Sequence, residues 1–273
     1  GLIGLDSVKR EIGSIADLHR INTQRKTLGQ KTPPISMHMV FLGNPGTGKT
    51  MVAKMVGEIY HEIGLLSKSE VVTVKREDLV SEYIGKTAIQ TKEVIQSALG
   101  GVLFIDEAYT LSPKGDGKDF GQEAIDTLLT AMEENRENLA VIVAGYDREM
   151  QRFISSNPGL KSRFNPSNFI HFKDYSAQEL CQIFYHMVNS DDFQIEPSAE
   201  PLLMRYFDRL YRTRDKDFGN AREVRNFYDS VFRHNARRLK SMESLTNEDY
   251  TLLTEADIQA AYDEKFGART EGE

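Results

Sequence analysis

Gly43-Asn44-Pro45-Gly46-Thr47-Gly48-Lys49-Thr50 follows the apolar run Met37-His38-Met39-Val40-Phe41-Leu42. It precedes the stretch Met51 to Ile63, in which Val52, Met55, Val56 and Ile59 recur at helical spacing. A buried strand that ends in a glycine-rich turn and opens a helix is the frame in which G-x-x-x-x-G-K-[ST] cradles phosphate. The glycines allow backbone turns that a Cβ would forbid, and close approach to an anion. Successive backbone N–H groups and the helix N-terminus point at that anion. Lys49 brings a mobile positive charge to the β- and γ-phosphates, and the Thr50 hydroxyl is a ligand for Mg²⁺. ATP and Mg²⁺ are therefore the expected ligands, with contacts spread over Asn44, Pro45, Gly46, Thr47, Gly48, Lys49 and Thr50.

Downstream, Val102-Leu103-Phe104-Ile105-Asp106-Glu107 places two carboxylates at the end of a fully apolar strand. Ligands of open α/β sheets bind at such strand ends. Asp106 is expected to hold the Mg²⁺ shell through water, and Glu107 to act as general base on the attacking water. Acidic residues often end strands, so the motif gains its force from the phosphate loop upstream.

The intervening pattern supports one architecture. Val71–Val74, Val102–Ile105, Leu139–Ala144 and Phe169–Phe172 read as strands beside the first at Met37–Leu42. Helical stretches at Met51–Ile63, Lys86–Leu99 (closed by Gly100-Gly101) and Phe120–Glu134 alternate with them. Alternation of this kind predicts an α/β fold, a parallel sheet flanked by helices, and continuously apolar strands agree with burial on both faces. From about residue 175 the pattern turns helical, at Ala177–Asn189, Ser198–Arg212, Ala221–Lys240 and Glu255–Phe266. The expected organisation is a nucleotide-binding domain over residues 1–174 and a small all-helical domain with a short polar tail over 175–273.

Bulk properties narrow the field. Of 273 residues, 40 % are hydrophobic and 27 % charged, ordinary for a globular chain. Lys and Arg number 34 against 41 Asp and Glu, a net charge of −7. A nucleic-acid partner that needs a broad basic surface is disfavoured. No apolar run approaches the roughly 20 residues that span a bilayer, so no membrane is expected. The single cysteine, Cys181, allows no internal disulfide framework and fits a reduced, cytoplasmic setting. A small buried residue is its expected role. The six histidines lie far apart without metal-ligand spacing. The opening Gly1-Leu2-Ile3-Gly4 lacks a Met and reads as a domain cut from a longer protein.

At this point the chain resembles the AAA+ ATPases, through the Asp-Glu ending of the second motif and the helical domain after the sheet. Within them it is most similar to the CbbX/CfxQ/SpoVK-like branch, which holds red-type Rubisco activases and sporulation-associated relatives. The phosphate loop, Tyr83-Ile84-Gly85-Lys86-Thr87-Ala88, Gly100-Gly101-Val102-Leu103-Phe104-Ile105-Asp106-Glu107-Ala108-Tyr109, Ala144-Gly145-Tyr146 and Asn157-Pro158-Gly159-Leu160-Lys161-Ser162-Arg163-Phe164 carry the resemblance.

The resemblance implies further roles. Ile3 and Gly4 match the segment that lies against adenine; an N-terminal core turn is the plainer alternative. Arg163 matches the arginine finger, reaching the γ-phosphate of a neighbouring subunit in a homo-hexamer, with an ordinary surface ion pair as the alternative. Arg222, in Gly219-Asn220-Ala221-Arg222, matches the sensor that touches the γ-phosphate in cis; a solvated basic helix face would look the same. Tyr83 and Ile84 match a loop that grips a protein client in the ring's pore, where a packing anchor is the alternative. Ser112 to Asp119 falls where a second pore loop would lie. In one place the chain departs from many relatives: Tyr146 stands where an Asn usually orients the attacking water. The phenol is assigned that task, with Asn165 or another group as the substitute.

The leading expectation is an ATP-hydrolysing hexameric motor that remodels a protein client. A Rubisco activase proper is its narrow form. A nucleotide-gated assembly switch with slow turnover is the competing class, and a nucleic-acid motor the least favoured.

Overall fold

A computed structural model describes residues 3–32, 35–112 and 119–267. The chain folds as two compact units. One comprises Leu5–Gly43 and Gly48–Lys173; the other combines the short segment Asn44–Thr47 and the first residues with the chain from Asp174 onward.

The first unit is built on a five-stranded parallel sheet, β1 (Met39–Gly43), β2 (Val71–Val74), β3 (Val102–Ile105), β4 (Ala140–Gly145) and β5 (Phe169–Phe172), in the order β2-β3-β4-β1-β5. The register sets Leu42 beside Gly145 and His171, and Ile105 beside Val143. The strands match the expected runs to within two residues at each end. The helices of this unit are α1 (Asp6–Thr27), α2 (Lys49–Glu62), α3 (Arg76–Leu79), α4 (Thr87–Ala98), α5 (Gly121–Glu134), α6 (Asp147–Ser156) and α7 (Pro158–Arg163).

Side chains alternate across the sheet with a period of two. Val40, Leu42, Leu103, Ile105, Val141 and Val143 meet Ile95, Leu128, Met150, Phe153 and Leu160 from α4 to α7 in one core. The opposite parity carries Phe41, whose ring lies 6.4 Å from Phe104 and 4.9 Å from Phe172. There α2 packs on β2 and β3, and α1 lies against α2 and β5. Helices α3, α6 and α7 are additions to the elements expected from sequence, and so is the long α1. Its buried positions Val8, Ile12, Ile15 and Asn22 form a thin stripe in a polar helix, and Leu5 before it is left-handed with no side-chain cap.

The second unit holds α8 (Ala177–Ser190), α9 (Glu200–Arg212), α10 (Ala221–Lys240) and α11 (Glu255–Phe266) around Phe184, Tyr206, Phe207 and Phe227. Tyr206 stacks on Phe227 at 3.6 Å. The expectation of an all-helical unit needs one correction. Gln194–Ile195 and Leu252–Leu253 pair as two short parallel strands, β6 and β7, which tie the end of α8 to the approach to α11. Two-residue strands carry no periodicity to read. Among the described residues no helix is long and apolar enough to cross a membrane.

Candidate functional site

The phosphate loop leaves β1 at Gly43 and enters α2 at Lys49. Its backbone is bent into conformations that favour glycine: Gly46 has φ 70° and Gly48 φ 93°. At Gly46 space is also limiting, since a Cβ would overlap the Gly219 carbonyl and fall 3.0 Å from the Arg222 nitrogen.

Five consecutive carbonyls of the loop are engaged. Gly43 O accepts from Lys49 Nζ (2.8 Å), Asn44 O from Thr47 Oγ1 (2.8 Å) and Pro45 O from Asn220 Nδ2 (3.3 Å). Gly46 O accepts from the Ala221 N–H (3.2 Å), and Thr47 O from the Tyr175 hydroxyl (3.2 Å). In a trans peptide the N–H points opposite to the carbonyl of the same plane. The carbonyls of Pro45, Gly46 and Thr47, drawn to Asn220, Ala221 and Tyr175, therefore turn the N–H groups of the same peptide planes away from those donors, as an anion nest requires. The first turn of α2 holds no acidic residue, so the positive end of its dipole stays uncompensated by side chains of that turn. Thr50 is exposed in that turn and Lys49 is half-buried.

The carboxylates follow β3. Strand β4 lies between β1 and β3, which sets the ends of those two strands about 10 Å apart, two strand spacings. Asp106 is partly buried, and its Oδ1 accepts the Glu107 N–H at 3.1 Å. Glu107 is exposed and left-handed, with φ 52° and ψ 39°. That conformation costs a non-glycine residue about 1 kcal/mol. A hydrogen-bonded turn sustains it: Glu107 O accepts from Thr110 N (2.9 Å) and Thr110 Oγ1 (2.7 Å). Arg76 in turn ties the Thr110 carbonyl to Asp119, 2.7 Å from its Nη2. Hydroxyl and carboxylate oxygens from Thr50 and Asp106 are hard donors and fit Mg²⁺.

Tyr146 stands at the N-terminus of α6 just after β4, between the ends of β1 and β3. Its ring lies 6.1 Å from that of Tyr109. Tyr109 presses on the backbone of Gly145, where a Cβ would stand 2.6 Å from its ring. Burial, then the charges of Glu107 and its acidic neighbours, pushes the Tyr109 phenol up to about 12. It stays a proton donor throughout the neutral range.

Arg163 ends α7. Its Nη2 lies 3.5 Å from Glu133 Oε2, and Nη1 lies 3.5 Å from the Gly159 carbonyl. Among the described residues its buried Nε has no hydrogen-bond partner. Within its own chain Arg163 thus makes an ion pair, the alternative to a finger role. Arg222 is exposed in the first turn of α10. Gly4 has φ 61°, with Glu179 and Tyr175 as its neighbours, and Ile3 is partly buried. Tyr83 and Ile84 are 68 % and 73 % exposed. Asn165 accepts from Ser167 N at 3.0 Å and caps the turn before β5. Of Ser112 to Asp119, residues 113–118 lie outside the described residues.

The structure adds Asn220, Asp174 and Tyr175, to which the sequence assigns no role. Asn220 stands inside the Gly219–Arg222 motif without a task of its own. Asp174 and Tyr175 follow β5 with no local signal, because their partners are more than forty residues away in the chain.

A parallel sheet with a phosphate loop after its first strand and paired carboxylates after its third defines a phosphate-loop nucleotide hydrolase. Comparison with known proteins narrows the class. Residues 39–171 match the ATPase family associated with various cellular activities (AAA), and residues 176–268 match the AAA lid domain. Protein CbbX of Cereibacter sphaeroides is 43 % identical over 99 % of this chain and 87 % of its own. The chloroplastic ribulose bisphosphate carboxylase/oxygenase activase of Cyanidioschyzon merolae is 42 % identical over 94 % of this chain and 87 % of its own. Stage V sporulation protein K of Bacillus subtilis is 42 % identical over 94 % and 79 %. The chain belongs to the AAA ATPases, and it is an ATP-hydrolysing enzyme of that family. Among solved structures, the FIGL-1 AAA domain superposes with a TM-score of 0.63 at 17 % identity, over 98 % of this chain and 89 % of that one. Its complex with ADP gives 0.64 at 16 %, over 99 % and 84 %. At such identity the likeness carries the fold alone.

Proposed function

We propose that this ATPase is a remodelling motor, a homo-hexameric ring that acts on a protein client in the cytoplasm. The single observation that carries the client-handling part is the loop before α4. Ser81 N donates to Thr87 Oγ1 (3.1 Å) and Tyr83 N donates to Ser81 Oγ (3.1 Å), so the stem is tied. Beyond it Tyr83 and Ile84 stand in solvent, with the Lys86 ammonium 5.2 Å from the Tyr83 ring centroid. An aromatic and an aliphatic side chain held out on a pinned loop suit contact with an extended polypeptide.

In this reading the loop residues Asn44 to Gly48 receive the phosphates on their N–H groups, and Lys49 neutralises the β- and γ-phosphates. Ile3 and Gly4 border the adenine. Thr50 and Asp106 hold Mg²⁺, which when bound offsets charge on the phosphate oxygens. Glu107 accepts the proton of the attacking water, and Tyr146 orients that water. Arg222 touches the γ-phosphate in cis. Arg163 leaves Glu133 and serves the neighbouring subunit's nucleotide, where guanidinium charge stabilises the transition state. A net charge of −7 supports a protein client over nucleic acid.

A narrower reading, a Rubisco activase proper, draws on the name of the Cyanidioschyzon merolae relative. The sporulation relative is equally similar at 42 %, so similarity favours neither client.

The test is a Glu107→Gln trap. It binds ATP, loses turnover by about 10²- to 10⁴-fold, and retains the client long enough to identify it. Turnover at the normal rate removes Glu107 from the mechanism. Tyr83→Ala should leave ATP hydrolysis intact and stop client processing; a Tyr83→Ala protein that still processes its client refutes threading.

A further inference from the structure

Asn44–Thr47 belongs to the same unit as the chain from Asp174 onward, and one side chain dominates the junction. Asn220 is fully buried. Its Nδ2, with two hydrogens, has three acceptors in range, Asp174 Oδ1 (2.7 Å), Phe218 O (3.1 Å) and Pro45 O (3.3 Å), so that one hydrogen is shared between two of them, while its Oδ1 accepts from Tyr175 N (2.9 Å). The same Asp174 oxygen accepts from Asn44 Nδ2 at 3.0 Å, and Arg214 Nε stands 3.7 Å from the other. Two consecutive loop residues are thus gripped, Asn44 by its side chain and Pro45 by its carbonyl. The backbone of Asn220 lies at φ 49° and ψ −121°. That region suits glycine, and any other residue is strained there. A glycine would relieve the strain, so what an asparagine adds at this point is its amide.

We propose that Asn220, with Asp174 as its acceptor, is a positioning residue for ATP, a latch that holds the phosphate loop in its anion-binding shape. It rests on the reading of Gly43 to Thr50 as the ATP site. Asn220 acts through the loop and not on the nucleotide. With the Pro45 carbonyl pinned, the Gly46 N–H of the same peptide plane faces the other way, toward the anion. The Ala221 N–H does the same for the next plane through Gly46 O. The latch therefore sets how well nucleotide binds and leaves the hydrolytic step to Glu107.

Asn220→Gly is the clean perturbation, because it keeps the backbone conformation and deletes only the amide. The expected result is an ATP KM and an ADP Kd raised about tenfold, the loss of one to two hydrogen bonds' worth of ordering. The expected kcat stays within about twofold of the parent. Asn220→Asp sets a second carboxylate against Asp174 and should be worse. Adding Asp174→Asn to it restores a donor between the two positions but leaves the Pro45 carbonyl without one, so Tm should recover while the affinity stays low. A merely structural role would bring affinity back together with Tm. If Asn220→Gly does not fold, Asp174→Ala, which removes the acceptor that the Asn44 and Asn220 amides share, carries the same measurement. KM and Kd within about twofold of the parent in a folded variant overturn the latch. Lys49→Ala separates the two readings. If it binds ATP normally, the loop is not the ATP site and both readings fall. If it loses ATP while Asn220→Gly does not, only the latch falls.

Discussion

Lowering the pH from 7 to 5 should weaken the fold through one buried histidine. His38 lies 6 % exposed just before β1, and its Nδ1 accepts the Val141 N–H at 3.1 Å. Burial, and then the nearby Arg163 charge, lowers its pKa from 6.5 to about 4, against a small opposing hydrogen bond to the Met132 backbone. The folded protein thus keeps His38 neutral where the unfolded chain protonates it. Stability is complete above the unfolded pKa near 6.5 and falls as pH drops from there toward the folded value near 4. Integrating the two titrations gives a loss of about 2 kcal/mol between pH 7 and pH 5. Glu264 and Asp249, whose pKa values are lowered by hydrogen bonds to Ser230 and Thr246, contribute in a different window. Their stabilisation exists above the ordinary carboxylate range and is lost only below it, so the interval from 7 to 5 isolates His38 from them. The assay is urea unfolding at both pH values for the parent and for His38→Asn, comparing the difference between the two pH values and not the absolute stabilities. The parent should lose about 2 kcal/mol more than the variant. Equal losses in both proteins would refute the reasoning.

Gly145→Ala puts a methyl 2.6 Å from the Tyr109 ring. It should cost about 1–3 kcal/mol and lower kcat more than ATP affinity, measured by steady-state hydrolysis beside a thermal melt. Asp257, with a side chain only 2 % exposed, accepts Arg238 Nε on both oxygens at 3.1 Å, and Asp257→Ala should cost about 3 kcal/mol in urea unfolding because it strands a half-buried guanidinium. Cys181 is buried, and burial with the Glu200 charge pushes its thiol up to about 11; at pH 8 about one molecule in a thousand is thiolate, so mass spectrometry should find iodoacetamide labelling only after denaturation.

Whatever the chain writes locally is legible before the fold is known. The central strands β1, β3 and β4 are continuous apolar runs that a parallel sheet buries on both faces, as at Val102–Ile105, while the edge strands β2 and β5 each expose one polar side chain, Thr73 and His171. The phosphate loop is legible because its chemistry sits within eight consecutive residues, Gly43 to Thr50. Helix α1 is harder, since buried positions at only Val8, Ile12, Ile15 and Asn22 leave a weak stripe and no cap announces its start. The β6–β7 pair joins Gln194 to Leu252, and no local pattern connects residues so far apart. Asn220 is hidden for the same reason: its meaning lies in Pro45, Asp174 and Tyr175, none of them near it in sequence. Glu107 is named by its motif, while the left-handed turn that presents it is not. Tyr146 sits at the strand end where its motif places it, with Tyr109 beside it as a neighbour that the motif alone does not announce.

The grouping of Asn44–Thr47 with the chain beyond Lys173 bears on how this enzyme can be dissected and recombined. A fragment ending at Lys173 would contain the whole parallel sheet and the complete phosphate-loop motif. It would nonetheless leave the carbonyls of Pro45, Gly46 and Thr47 without the donors that engage them. Such a fragment should be a poor nucleotide binder despite its intact consensus. A chimera that exchanges the C-terminal part between relatives would replace half the walls of the phosphate loop along with it. On the proposed reading, a transplanted phosphate loop has to bring Asp174, Tyr175 and the start of α10 with it, a set of residues that no single cut in the chain can isolate.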